Sequence, residues 1–287
     1  MNFNSPLRYP GGKGKIIKFV HDLFRVNGLC DGVYVEPFAG GASVALSLLF
    51  NEYAKRIVIN DKDLSVFAFW HAVLNDTENL CRRIFDCKID VKNWDVQREI
   101  QRHKTEETLL DLGFSTFFLN RCNRSGIILA GIIGGRNQEG KYKIDARFNK
   151  TDLIKRIEKV ANYKGRIELF NSDALDLIST ISKRDERNII YYLDPPYFVK
   201  GQMLYLNHYK TSDHVDIYKL IDSLDDAKWI VSYDNIAFIR ELYINYSQIY
   251  YKLNYSASKT SVGEEVIIHS DNLLMPLNTI QKLSISA

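Results

Sequence analysis

The segment YYLDPPY at residues 191–197 follows a hydrophobic run and ends in a stiff turn. Its two prolines fix φ near −65° and remove two backbone donors, so the turn presents mainly acceptors. The carboxylate of Asp194 and the carbonyl of Pro195 can each accept one hydrogen of an amino group, and the ring of Tyr197 can stack on a planar base. These three residues and Pro196 are the predicted catalytic group.

The chemistry suited to such a turn is methylation of an exocyclic amino group. That group is a poor nucleophile on a purine, because its lone pair is delocalised into the ring. Two acceptors that draw its hydrogens out of the ring plane localise the lone pair, which then attacks a methyl group held in line. No protein nucleophile is required, and the sequence lacks the Pro-Cys loop used at cytosine carbon 5.

A second feature is the glycine-rich turn in VYVEPFAGGAS, residues 33–43. Glycines at the carboxyl end of a first strand let the backbone approach a nucleoside closely, and the absence of GxGxxG disfavours a dinucleotide. Asp61 follows the next strand, where an acid accepts hydrogen bonds from ribose hydroxyls. A tight turn with a surface carboxylate is the alternative explanation.

An open α/β sheet would place both features at one edge, and hydrophobic runs predict its strands. The last two runs are separated by a Ser/Thr/Gly loop too short for a helix, which predicts an antiparallel hairpin. Residues 64–160 interrupt the pattern with helices and a loop at about 122–150. The expected fold is α/β, with a seven-stranded Rossmann-like sheet, an antiparallel edge hairpin and a mainly helical insertion. The predicted strands are 33–36, 56–60, 166–170, 188–193, 228–232, 248–253 and 265–269.

The charge is uneven along the 287 residues. The chain has a net charge of +3, whereas residues 91–166 carry 16 Lys and Arg against 9 Asp and Glu. This predicts a polyanion-binding surface, although a solvated helical region explains the charge equally well. The proportions of 46% hydrophobic and 25% charged residues exclude a disordered chain.

Several other classes of protein are disfavoured. No apolar run approaches the roughly 18 residues needed to span a bilayer. The amino terminus has no apolar signal region, so we expect a cytoplasmic protein with no membrane association. The four cysteines lack CxxC spacing and indicate reduced thiols. His214 and His269 are isolated in the sequence, and we expect no metal site.

The ordered set RYPGGK, VEPFAGGASVAL, IND, DPPY and WIVSYDN resembles the S-adenosylmethionine-dependent DNA adenine-N6 methyltransferases of the Dam type. Their order is the class α arrangement of that family, and the resemblance covers essentially the whole chain. It implies a methyltransferase sheet formed by residues 1–63 and 164–287, which bind S-adenosylmethionine. It also implies that residues 64–163 are a target-recognition domain.

The resemblance assigns roles to the residues that match the motifs. Asp61 is the implied ribose-binding acid, with Asp63 as the alternative because the register in IND-KD is ambiguous. Asp173 is implied near the cofactor adenine, although an acid there often caps a helix. Tyr197 is implied to stack on the flipped target base. The implied cofactor-binding residues are Tyr9, Gly11, Gly12, Lys13, Glu36, Phe38, Ala39, Gly40, Asp61, Asp173 and Asp194.

The target base is out of reach inside a duplex, so this family extrudes it. Arg and Asn side chains in loops read base edges, and Lys side chains suit phosphates. For any one such residue, an ordinary solvated side chain is an equally good explanation. Dam enzymes acting at GATC carry aromatic residues just after the Asn-Arg pair, where this chain has Cys-Asn-Arg-Ser at 122–125, so GATC specificity is not assigned. The predicted DNA-binding residues are Asn120, Arg121, Asn123, Arg124, Arg136, Asn137, Lys141, Lys143 and Arg147, with Lys150 as a further phosphate contact.

The resemblance further implies a monomer acting on double-stranded DNA. A cognate restriction endonuclease is left open as a functional rather than physical partner in a restriction-modification system. RNA adenine-N6 and DNA cytosine-N4 methylation stay open as alternatives, as does a catalytically idle DNA-binding protein on the same fold. Candidates to close over the substrate or line its pocket are Tyr205, His208, Tyr209, Tyr233 and Asp234.

Overall fold

The computed structural model describes residues 4–8, 14–198, 209–255, 261–276 and 279. The helices are α1 Gly14–Val26, α2 Ser43–Phe50, α3 Leu64–Asn75, α4 Thr77–Asp86, α5 Val91–Arg102, α6 Leu109–Cys122, α7 Lys150–Asn162, α8 Ala174–Ile181, α9 Thr211–Asp222 and α10 Ala237–Leu242. The strands are β1 Gly32–Glu36, β2 Ala54–Asn60, β3 Ile167–Phe170, β4 Ile189–Leu193, β5 Lys228–Asp234, β6 Ser247–Tyr255 and β7 Ser261–His269.

The strands form one seven-stranded sheet in the order β3-β2-β1-β4-β5-β7-β6. Strand β1 runs parallel to β2 and β4, and β4 runs parallel to β5. Strand β7 is antiparallel to both β5 and β6. The predicted α/β fold with an antiparallel edge hairpin is therefore confirmed.

The chain divides into two compact units. One comprises residues 14–60 and the described part of 172–279, and the other comprises residues 4–8 and 61–171. In the first unit, all five residues of β1 are buried, as are six consecutive residues of α2. An apolar surface on every side is typical of elements in the interior of an α/β core. The predicted domain boundaries at 63/64 and 163/164 stay a prediction.

The second unit is mainly helical. Helix α6 is buried over Leu112–Cys122, and its Phe117 and Phe118 contact Phe148 at ring centroid distances of 5.4 and 5.5 Å. Phe69 of α3 stacks on Phe117 at 5.9 Å. These aromatic contacts join α3, α6 and the end of the loop that precedes α7, so this unit has a core of its own.

Candidate active site

The carboxyl ends of β1, β4 and β5 meet at one edge of the sheet, because these three strands are parallel neighbours. They bring Glu36, Asp194 and Asp234 to that edge. Glu265 joins them from the antiparallel β7, where it lies opposite Asp234 in the register. The strand order reverses between β1 and β4, and open α/β sheets bind ligands at such a switch point.

The carboxylate of Asp194 is oriented by the neighbouring strand β5. The hydroxyl of Ser232 donates a 2.8 Å hydrogen bond to Oδ1 of Asp194 and lies 3.2 Å from the hydroxyl of Tyr192. Ser232 and Tyr192 are fully buried, and Pro195 is buried. The turn after β4 therefore holds one carboxylate oxygen in a set direction before any substrate arrives.

The aromatic ring of the same turn is anchored by β7. The hydroxyl of Tyr197 donates to Oε1 of Glu265 at 2.8 Å, and the hydroxyl of Tyr251 donates to Oε2 at 2.5 Å. Sequence reasoning missed both Glu265 and Ser232. The available signal was a polar residue next to apolar residues within each of two strands, since such a residue needs a partner when buried.

Aromatic side chains surround the residue that follows the turn. The backbone N–H of Phe198 donates to Asp234 at 3.2 Å, and the ring of Phe198 lies 5.4 Å from that of His214. Tyr209 contacts both His214 at 5.6 Å and Phe38 at 5.8 Å, which links this group to the glycine-rich turn. The other predicted closing residues, Tyr205 and His208, lie outside the described residues.

His214 has a structural contact that the sequence did not predict. Its Nδ1 lies 3.1 Å from the hydroxyl of Tyr233, and both side chains are fully buried. Burial lowers the pKa of His214, while the charges of Asp213 and Asp234 oppose that shift. Tyr233 thus packs against His214 in the interior, whereas Asp234 accepts a backbone N–H just after the predicted catalytic turn.

The glycine-rich turn after β1 is tightly held. Gly40 and Ala42 both have a φ of 47°, a left-handed conformation that costs a non-glycine residue about 1–2 kcal/mol. The backbone N–H of Ala39 donates to the carbonyl of Asn60 at 2.8 Å. Glu36 and Ala39 are buried and Phe38 is half-buried, so the predicted residues of this motif lie together on one turn.

Asn60 is a further residue that sequence reasoning missed. Its buried side-chain amide donates to the carbonyls of Pro37 at 2.9 Å and Ser172 at 3.1 Å. Its carbonyl oxygen accepts the backbone N–H of Ser172 at 2.9 Å. This one side chain fixes the turn after β1 to the segment that leads into α8, which begins after Asp173.

The three predicted acids after the strands have different surroundings. Asp61 follows β2 directly, and its Oδ1 accepts the N–H of Asp63 at 2.9 Å. Asp63 caps α3 through the N–H of Ser65 and pairs with Lys104 at 3.2 Å. Asp173 caps α8 through the N–H of Leu175 at 2.9 Å. Asp63 thus caps α3 and forms an ion pair, Asp61 accepts one backbone N–H, and the choice between them as the ribose-binding acid stays a prediction. Tyr9, Gly11, Gly12 and Lys13 lie outside the described residues.

Three predicted DNA-binding residues are instead internal to the helical unit. Asn120 accepts the N–H of Arg8 and donates to the carbonyls of Arg8 and Gly126, each at 2.7 Å. Arg121 donates from Nε to the carbonyl of Pro6 at 2.8 Å, and burial followed by the neighbouring arginine charges lowers its pKa to about 9. Because these polar groups are already bonded within the protein, they support the loop rather than face DNA.

Asn123 is the third predicted DNA-binding residue that lies inside the helical unit. It is fully buried, accepts the indole N–H of Trp94 at 2.6 Å and donates to the carbonyls of Ile127 and Ile128. Lys150, predicted as a phosphate contact, donates to the carbonyls of Phe85 and Cys87 at 2.7 and 2.6 Å. Both side chains fix the ends of the segment between α6 and α7.

The other predicted DNA-binding residues are exposed on this segment. They are Arg124, Arg136, Asn137, Lys141, Lys143 and Arg147. Arg136 also pairs with Asp95 through two hydrogen bonds of 2.8 and 2.9 Å. Tyr142 is 58% exposed, with Lys141 Nζ 5.8 Å and Arg147 Cζ 6.0 Å from its ring. Cations beside an exposed aromatic ring are typical of nucleic-acid-binding surfaces.

Within the described part of the chain, no group of three or more His, Cys, Asp or Glu side chains is arranged to hold a metal ion. None of the described helices is both long and apolar enough to cross a membrane.

Residues 9–257 match the family described as D12 class N6 adenine-specific DNA methyltransferase. The chain is 22% identical over 259 residues to the type II methyltransferase M.MjaIII of Methanocaldococcus jannaschii, covering 83% of this chain and 86% of that protein.

Two solved structures are similar to this chain over most of its length. The rRNA methyltransferase aviRa from Streptomyces viridochromogenes is 12% identical with a TM-score of 0.38, over 90% of this chain and 86% of that one. M. capricolum TrmK in complex with S-adenosyl-homocysteine is 10% identical with a TM-score of 0.35, over 90% and 73% of the two chains.

Proposed function

The chain belongs to the D12 class N6 adenine-specific DNA methyltransferase family, and from that premise we propose that it methylates the N6 atom of an adenine extruded from double-stranded DNA. We further propose S-adenosylmethionine as its methyl donor. The observation that carries the proposal is the hydrogen bond by which Ser232 orients the carboxylate of Asp194, next to Pro195 in the turn after β4.

The residues present fit this donor. Glu36 and the turn at Gly40 suit its charged amino-acid end, because a buried carboxylate balances an ammonium group and a turn with left-handed residues suits the binding of an anionic carboxylate by backbone N–H groups. Asp61 suits ribose hydroxyls. When bound, S-adenosylmethionine supplies an electrophilic methyl group on a sulfonium. The family match and the similarity to a type II methyltransferase support this assignment.

The catalytic role of the turn is to hold the amino group. Asp194 and the carbonyl of Pro195 accept its two hydrogens, which localises the nitrogen lone pair outside the base. The carboxylate of Asp194 also stabilises the positive charge that develops on the nitrogen. Tyr197 holds the plane of the base by stacking. Most of the rate enhancement then comes from positioning and electrostatics.

The exposed segment between α6 and α7 supplies the DNA surface in this proposal. Lys141, Lys143 and Arg147 are placed for phosphates, and Arg124, Arg136 and Asn137 are candidates for base edges. Tyr142 is an aromatic side chain exposed among these cations, so we assign it to the space that the extruded adenine leaves. We retain residues 64–163 as the target-recognition domain.

The proposal extends to the oligomeric state, the location and a functional partner of the protein. We propose that the protein acts as a monomer in the cytoplasm, where its DNA substrate is present. As M.MjaIII is a type II methyltransferase, a cognate restriction endonuclease is the expected functional partner.

The direct test is methyl transfer from labelled S-adenosylmethionine to unmethylated genomic DNA, followed by long-read mapping of modified bases. We expect N6-methyladenine within one short sequence motif. Asp194→Ala should abolish transfer while cofactor binding stays measurable. Transfer to RNA only, or N4-methylcytosine as the product, would contradict the proposal, as would turnover that survives in Asp194→Ala.

A further inference from the structure

Glu265 is a buried carboxylate to which neither the sequence motifs nor the reaction assign a role. It lies in β7 with no exposed surface, and each of its two oxygens accepts a tyrosine hydroxyl. One donor is Tyr197 of the catalytic turn, and the other is Tyr251 of β6. A fully buried carboxylate requires such partners, because its desolvation is costly without them.

The direction of these hydrogen bonds is fixed by the environment. Burial, followed by the negative charge of Glu265, raises the pKa of Tyr251 well above its ordinary value. Tyr251 therefore remains a donor at physiological pH and occupies Oε2. Oε1 lies on the side of the turn, where it accepts the hydroxyl of Tyr197 at 2.8 Å.

We propose that Glu265 is a positioning residue for methyl transfer, which holds the ring of Tyr197 in the orientation that meets the extruded adenine. This inference rests on the proposed function. The hydrogen bond at the far end of the ring restricts rotation that the backbone of a short turn leaves open. A tyrosine ring that is already oriented does not lose further conformational freedom when the base binds. We therefore expect the hydrogen bond to raise the rate of methyl transfer itself.

A purely structural role for Glu265 predicts something different. In that case substitution of Glu265 would weaken the fold and lower the amount of active enzyme. This effect would be the same whether or not the hydroxyl of Tyr197 is present. If Glu265 acts through Tyr197, removing either partner abolishes the same interaction. The effects of the two substitutions on kcat would then not multiply in the double variant.

The experiment compares Glu265→Gln, Tyr197→Phe and the double variant in single-turnover and steady-state methylation of DNA. We expect each single variant to lower kcat about tenfold, the contribution of one hydrogen bond near the upper end of the usual range. The double variant should lose no more than the larger single effect. The dissociation constant for S-adenosylmethionine should stay unchanged. Independent, multiplying effects or an unchanged kcat in Glu265→Gln would overturn the proposal.

Tyr246→Phe is the matched control, because it removes a 2.7 Å tyrosine-to-carboxylate hydrogen bond to Asp222 in the same unit. It should leave kcat unchanged. If Glu265→Gln does not fold, the comparison of Tyr197→Phe with Tyr246→Phe carries the test. Equal losses of kcat in those two variants would overturn the proposal.

A measurement on the protein without DNA separates this inference from the proposed function. NMR of ring-labelled tyrosine should show a hydroxyl proton of Tyr197 that exchanges slowly with water, assigned by its absence in Tyr197→Phe. Rapid exchange in an enzyme that methylates adenine would overturn the role of Glu265 alone. Slow exchange in a protein that methylates no adenine would instead reject the proposed function.

Discussion

Ser232 donates its hydroxyl hydrogen to Oδ1 of Asp194 across 2.8 Å, although 38 residues separate them in the sequence. The hydroxyl is buried and also lies 3.2 Å from that of Tyr192. It therefore sets the plane of the carboxylate that, in the proposed reaction, accepts a hydrogen from the adenine amino group.

Ser232→Ala should lower kcat about tenfold, because the carboxylate loses the hydrogen bond that orients it. The dissociation constant for S-adenosylmethionine should change little. Ser223→Ala is the control, since it removes a 2.7 Å serine hydrogen bond to the carbonyl of Leu220 on the surface of the same unit. Equal activity of both variants in a steady-state methylation assay would argue against this role.

Substitution of Asp61 should affect cofactor binding, whereas substitution of Asp63 should affect stability. Asp61→Asn should weaken S-adenosylmethionine binding about tenfold or more, the effect of losing a hydrogen bond to a charged group. Asp63→Ala should leave that affinity unchanged and lower the free energy of unfolding by about 1 kcal/mol, because the cap of α3 is lost. Calorimetry and urea unfolding measure the two effects, and the reverse pattern would assign the ribose to Asp63.

Lys141→Gln and Arg147→Gln should each weaken DNA binding. If each side chain contacts one phosphate, the slope of log Kd against log salt concentration should fall by about 1 per substitution. The methylated motif should not change, because phosphate contacts carry little sequence information. Lys183→Gln, exposed in the other unit, is the control. A salt slope that is the same in all four proteins would remove this surface from the DNA interface.

Gly126→Ala should destabilise the helical unit. Gly126 has a φ of +76°, and a Cβ there would lie 2.6 Å from the carbonyl oxygen of Arg8. We expect a loss of about 1–3 kcal/mol in the free energy of unfolding. Gly131→Ala lies nearby with open space around it and should be tolerated. Urea unfolding of the two variants is the measurement, and equal midpoints would contradict the expectation.

Stability should fall on mild acidification. Burial lowers the pKa of His21, His214 and His269. The unfolded chain therefore binds protons more readily than the folded protein, so the stability from these neutral rings is complete above about pH 6.5 and is lost as the pH falls below it. Thermal unfolding between pH 7.5 and 5.5 should show a falling Tm.

His214→Gln should make this dependence on pH shallower, because one buried group no longer titrates. His103→Gln, at a side chain that is 53% exposed, is the control. An identical slope in the wild type and in His214→Gln would show that His214 does not contribute.

The sequence predicted the strands and the catalytic turn because both depend on local patterns. Hydrophobic runs mark β1 to β7, and two consecutive prolines mark the turn. Asn60, Ser232 and Glu265 were missed because their partners are brought to them by strand register and not by sequence spacing. Each is a buried polar residue in a strand, which requires a partner, but the sequence does not identify that partner.

In α6, by contrast, residues that were predicted to bind DNA are buried. Asn120 and Arg121 have the residue types expected at a DNA surface, but this helix is buried on every side from Leu112 to Cys122. Sequence periodicity does not distinguish a buried polar side chain from an exposed one when no solvent-facing side exists. Each of them bonds to backbone groups of residues more than 100 positions away, Arg8 for Asn120 and Pro6 for Arg121.

The hydrogen bond between Tyr197 and Glu265 can form only late during synthesis of the chain. Its acceptor lies 68 residues after its donor, so ribosomes adding about 5–20 residues per second complete the catalytic turn several seconds before they reach β7. A nascent chain with the whole glycine-rich turn and DPPY motif thus still lacks the group that aligns its tyrosine. In the proposed mechanism, competence for methylation is therefore acquired late in synthesis, and a chain that ends between Tyr197 and Glu265 contains the DPPY motif without the acceptor that aligns its tyrosine.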